Sequence, residues 1–77
     1  MKTAGRLVAV KRSADFSDAD RASVRAFARE VASRKITCNA IAAGAVEPEE
    51  IAEIAVFLCM RVAAAISGET IGVGVFV

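Results

Sequence analysis

Ile36-Thr37-Cys38-Asn39-Ala40-Ile41-Ala42-Ala43-Gly44 is the stretch on which the fold turns. It is a short, mostly apolar run. A charged helical pattern precedes it, and Glu47-Pro48-Glu49-Glu50 opens another just after it. Ile36 to Ala42 therefore reads as a central strand, with Ala43-Gly44-Ala45-Val46 as the loop that leaves it. The rest of the chain reads as layers packed around this strand.

On the amino-terminal side, Leu7-Val8-Ala9-Val10 is a four-residue apolar run with β-branched members. It reads as a strand buried on both faces. Lys11 to Phe16 is a polar loop, and Ser17 begins a helix expected near residues 17–34. Ser17 and Asp20 resemble a capping box, with Asp in place of the usual Glu or Gln. Asp18 and Asp20 complement the positive end of the helix. Val24, Phe27, Ala28 and Val31 form one apolar stripe at i, i+3, i+4 and i+7. Arg21, Arg25 and Arg29 line another face and read as a solvated surface. A phosphate or nucleic-acid contact would be favoured by interleaved aromatics and a basic net charge, and both are missing. The helix should end near Ser33-Arg34-Lys35, where cations suit its negative end.

On the carboxyl-terminal side, Pro48 between acids is a strong helix start, and the helix is expected near residues 48–63. Ile51, Ile54, Ala55, Leu58 and Val62 continue at helical spacing. Val56, Phe57 and Cys59 widen the apolar surface, which predicts a helix covered on more than one side. Ser67-Gly68 marks a turn. Glu69 to Val77 is a last β-branched run, interrupted by Gly72 and Gly74, which weaken it or allow close backbone approach.

The order β-α-β-α-β with short connections predicts an α/β domain: a three-stranded parallel sheet with right-handed crossovers, half of a Rossmann-like doubly wound fold. Two helices cannot cover such a sheet completely, so an edge or a face should be open. The 77 residues make one small domain, and a composition of 56% hydrophobic residues implies that some apolar surface meets a partner. The net charge of +1 gives no field toward nucleic acid or an anionic membrane, and neither is expected as a partner. Cys38 and Cys59 lie in apolar runs and read as buried free thiols in a reducing compartment. There is no histidine and no CxxC, which argues against a zinc site. Ile54 to Met60 is far short of the ~20 residues a spanning helix needs. The apolar run after Arg6 is too short for a signal-peptide core, so the expected location is cytoplasmic.

Three blocks resemble the short-chain dehydrogenase/reductase family, specifically its 3-oxoacyl-(acyl carrier protein) reductase type. Val24 to Gly44 is similar to the family's helix ending A-x-E-x-A-x-R-G followed by I-x-V-N-A-x-x-P-G. Pro48-Glu49-Glu50-Ile51-Ala52-Glu53, Val56-Phe57-Leu58 and Ile66-Ser67-Gly68-Glu69-Thr70-Ile71 resemble its P-E-E-I-A, F-L and I-T-G-x-x-I elements. Gly5-Arg6-Leu7-Val8 is similar to the G-R-I-V of its fifth strand. The resemblance covers nearly the whole chain and corresponds to the carboxyl-terminal part of the family's fold. It implies a nicotinamide cofactor, NAD or NADP, and hydride transfer between a carbonyl and an alcohol.

The departures concern chemistry. The family's Gly-rich phosphate loop has no counterpart, so no ready set of N–H groups holds a pyrophosphate. The family's Tyr-x-x-x-Lys falls on Ser13 and Ser17, and the chain has no tyrosine. A serine hydroxyl is a far weaker acid than a phenol. Lys11-Arg12 occupies the region of the catalytic serine. Pro-Gly becomes Ala43-Gly44, and no lid separates Val46 from the next helix. By resemblance Ala43, Gly44 and Val46 are vestiges of the nicotinamide site. The expectation is a truncated or degenerate family member, a single domain over 1–77, inactive and without bound cofactor when alone. An alternative is an interaction module that pairs with itself or with a related reductase subunit. A surviving oxidoreductase completed by a partner chain is the third reading.

Overall fold

A computed structural model of the chain describes residues 5–74. Strand and helix alternate along them: β1 (Gly5–Arg12), α1 (Asp18–Val31), β2 (Ile36–Ala43), α2 (Pro48–Cys59) and β3 (Thr70–Val73). Residues 75–77, part of the expected last strand, lie outside the described residues. The sheet order is β1-β2-β3 and both pairings are parallel, as the alternation predicts. Gly5 stands opposite Ile36 and Arg12 opposite Ala43, and Ala40 to Ala43 stand opposite Thr70 to Val73.

Local chemistry sets the helix ends. Ser17 is extended, its hydroxyl accepts from the Asp20 N–H (3.1 Å), and the Asp20 carboxylate accepts from the Ser17 N–H (2.8 Å). This is the reciprocal capping box expected from Ser17 and Asp20. After Val31 the backbone tightens into a 3-10 turn, Ala32–Arg34, and Lys35 closes it in a left-handed conformation, φ 59°. Pro48 in the first turn and the acids Glu49 and Glu50 open α2. Met60 is extended (φ −80°, ψ 157°), so α2 stops at Cys59 and a separate 3-10 turn, Arg61–Ala63, follows.

The core is β2. Thr37 through Ala43 are all buried, with Ala40 and Ile41 fully enclosed. Side chains alternate across a strand, so this burial requires cover on both faces. Both α1 and α2 pack on β2, and we place one on each face. The chain steps the same way across the sheet each time, β1 to β2 to β3, with its helices on opposite faces. Its two crossovers are therefore of opposite hand, not both right-handed as the general preference predicts.

The outer elements are less covered than their apolar runs imply. Leu7 and Val10 of β1 are 45% and 52% exposed, so β1 is not buried on both faces. β1 is an edge strand here, and an apolar run acquires cover only from neighbours. In α2 only Leu58 is buried, while Val56, Phe57 and Met60 just beyond it are exposed. Cover on more than one side is absent because α2 packs only against the sheet face that β1 and β2 share. Of the two free thiols Cys38 is buried, but Cys59 is exposed on the outward face of α2, against the expectation of two buried thiols.

Candidate functional site

In open α/β sheets ligands gather at the carboxyl ends of the strands, and the residues with family counterparts lie there. Each is drawn into local structure. Lys11 Nζ pairs with Asp20 Oδ2 at 3.1 Å, and Arg12 pairs with Asp15 Oδ2 at 2.9 Å. The Ser17 N–H and then the Lys11 ammonium hold the Asp20 carboxyl below its ordinary pKa. Ser13 begins a 3-10 turn, and its carbonyl accepts from the Phe16 N–H. The Ser17 hydroxyl is spent on the cap. The Arg21 guanidinium sits over the Phe16 ring, 5.5 Å from its centroid. Among the described residues no cluster of His, Cys, Asp and Glu could hold a metal ion.

Ala43, Gly44 and Val46 come together where β2 ends. The Gly44 N–H donates to the Val73 carbonyl (2.8 Å), and the Val46 N–H donates to the Gly44 carbonyl (3.0 Å). A Cβ on Gly44 would strike the Gly74 backbone. Gly74 itself has φ 68°, and a Cβ there would strike Val46 Cγ1. The close approach that Gly44 permits is thus taken by the end of β3. The Gly44 and Val46 amides are therefore already bonded within the chain.

Asn39 is 1% exposed, and its role is structural. Its Nδ2 donates to the Ile66 carbonyl and its Oδ1 accepts from the Glu69 N–H, both at 3.0 Å. The Ser67 hydroxyl accepts from the Cys38 N–H (3.1 Å), and the Gly68 N–H donates to the Cys38 carbonyl (2.7 Å). The Asn39 and Ser67-Gly68 positions that carry the family resemblance thus staple the turn before β3 to the core strand.

A second concavity lies at the opposite, amino-terminal end of the sheet. It is a cleft of about 750 Å³ whose wall includes Arg6, Arg25, Arg29, Lys35 and Thr37. Arg25 and Arg29 were visible as a helical stripe. Arg6 and Thr37 carry no local signal, because only the β1–β2 register sets them side by side.

No protein-family model matches the sequence, and no curated protein matches it. Solved structures do. A short-chain dehydrogenase/reductase from Serratia marcescens superposes with a TM-score of 0.77 at 22% identity, over 95% of this chain and 43% of that one. A promiscuous reductase that performs a keto-reduction in lugdunomycin biosynthesis gives 0.78 at 21% identity, over 94% of this chain and 37% of its own. The acetoin dehydrogenase of Salmonella typhimurium gives 0.75 at 18% identity, over 90% and 43%. At these identities the likeness establishes the fold: an α/β unit shared with short-chain dehydrogenase/reductases. The chain spans less than half the length of the structures it matches.

Proposed function

We propose that this chain is a partial or degenerate short-chain dehydrogenase/reductase that carries no hydride transfer by itself. The family's members are NAD(P)-dependent oxidoreductases acting on carbonyls and alcohols. The observation that carries the reading is the state of the turn after β2. Its Gly44 and Val46 amides are bonded within the chain, and the end of β3 closes against it. Ser13 in a turn and Ser17 in a cap, at the positions of the family's Tyr and Lys, support the same conclusion. The structural neighbours support the ancestry through the shared parallel sheet and its two helices.

The test is a titration of the 77-residue chain with NADH and NADPH, followed by cofactor fluorescence and amide chemical shifts, with the mass in solution recorded on the same sample. The expected result is no saturable micromolar binding at Gly44–Val46. Saturable binding that perturbs those amides would restore the oxidoreductase reading. The second reading is a module that pairs with a copy of itself or with a related reductase subunit. It is favoured by the exposed apolar side chains Leu7, Val10, Phe27 and Phe57 and by the edge position of β1. A defined oligomer without cofactor binding supports pairing with itself, and a strict monomer removes that form of it.

A further inference from the structure

Six of the ten cations of this protein fall into two groups with different fates. At the carboxyl ends of the strands Lys11 and Arg12 are neutralised by Asp20 and Asp15. At the amino ends Arg6, Arg25, Arg29 and Lys35 line one cleft against a single carboxylate, Glu69. Four cations against one carboxylate leave a local charge of +3 in a chain whose net charge is +1. Among the described residues none of these four cations forms an ion pair.

Two further observations point into the same cleft. Among the described residues, the buried side-chain polar atoms without a hydrogen-bond partner are Arg6 Nε and Thr37 Oγ1. Both belong to residues that line the cleft, and the register sets them on neighbouring strands. Thr37 is only 7% exposed. Buried donors without acceptors are costly and uncommon. Two of them side by side in a cationic cleft call for an anionic acceptor. The second observation is Lys35, the non-glycine residue with positive φ among those described. The left-handed position that closes a helix favours glycine, because a Cβ is strained there. Here the position carries an ammonium group and lines the cleft instead.

We propose that this amino-end cleft binds a small phosphate ester. The phosphate accepts from Arg6 and from the Thr37 hydroxyl, with Arg25, Arg29 and Lys35 supplying charge. The neutral body of the ligand rests on the wall made by Ala28, Ala32 and Ile36. The cleft volume falls within the range of small-molecule sites. Guanidinium groups suit phosphate oxygens because they offer paired donors in a planar fork. A nucleic acid would need a longer track and stacking side chains, and the cleft lining has no aromatic residue.

The experiment uses the whole 77-residue chain labelled with nitrogen-15. It is titrated with inorganic pyrophosphate and, separately, with glycerol 3-phosphate. The expected result is saturable shifts confined to the amides of residues 35–37 and 67–69. Thr37→Val, which removes the hydroxyl at nearly constant volume, should weaken pyrophosphate binding at least about tenfold, the scale of one hydrogen bond to a charged group. Lys35→Gly should raise the melting temperature, because glycine suits that backbone, while weakening binding about tenfold. A damaged fold cannot produce that pair of effects. Arg61→Gln, outside the cleft, should change nothing. Shifts spread evenly over all Lys and Arg residues, no saturation by millimolar ligand, or full binding by Lys35→Gly and Thr37→Val would each overturn the proposal. Because NADH also carries a pyrophosphate, the shifts separate the two sites. An NADH response at residues 44–46 refutes the proposed function, and one at residues 35–37 alone does not.

Discussion

Asn39→Ala should cost this protein a large share of its stability. Asn39 Nδ2 donates to Ile66 and its Oδ1 accepts from Glu69, each at 3.0 Å, and the residue is fully enclosed. Alanine strands a carbonyl and an N–H, each costing about 1–3 kcal/mol when buried, so the loss should be about 2–6 kcal/mol. A chain of 77 residues has a total stability of about 4–12 kcal/mol at the usual value per residue. The variant should therefore be marginal, and the damage should begin at the turn that leads into β3. Urea denaturation followed by far-UV circular dichroism is the suitable assay, because the chain has no tryptophan or tyrosine to report by fluorescence. Amide exchange at Gly68 and Glu69 locates the effect. Asn39→Asp is the companion variant: it keeps the acceptor, loses the donor and buries a carboxylate at neutral pH. A loss below about 1 kcal/mol, with Glu69 still protected from exchange, would refute the role assigned to Asn39.

Three other outcomes follow from the same structure. Gly44→Ala should lose about 1–3 kcal/mol by overpacking against Gly74, with Ile71 and Val73 amides exchanging faster than in the parent. Stability should fall as acid protonates Asp20. Its folded pKa is depressed by Ser17 and Lys11, so its contribution is present above the ordinary carboxylate range and lost as pH drops through the folded value, from about pH 4 downward. Asp20→Asn should flatten that part of a plot of urea midpoint against pH. Cys59 should react at once with a thiol reagent in the native protein. Cys38 should react only on unfolding, because burial both shields it and raises its thiol pKa. One thiol titrated in buffer and two in denaturant is the expected count.

Much of the fold was legible because its signals are local. The apolar run Ile36 to Ala42, the cap at Ser17 and Asp20, and Pro48 between acids each depend on residues within one turn or one strand. The parallel sheet followed from the alternation of these elements. The reading failed where cover was at issue. Leu7, Val10, Val56 and Cys59 have the composition of core residues, yet they stay exposed because the described residues cover them only in part. The candidate site behaved in the same way. Ser13, Ser17, Ala43, Gly44 and Val46 were found by motif, and the Ser17 cap is local, but the packing of Gly44 and Val46 against the β3 end is long-range.

Local patterning and turn chemistry thus decided which segments are strands and helices, since helix and strand periodicities are written residue by residue. Tertiary packing decided the rest. It enclosed β2 on both faces and set α1 and α2 on opposite sides. It wedged Gly74 against Gly44 and Val46, across about thirty residues of chain. It also set Arg6 beside Thr37, beneath cations from α1 and its closing turn. Contacts between residues far apart in sequence depend on register and crossover geometry, and neither is encoded in any single window of the chain.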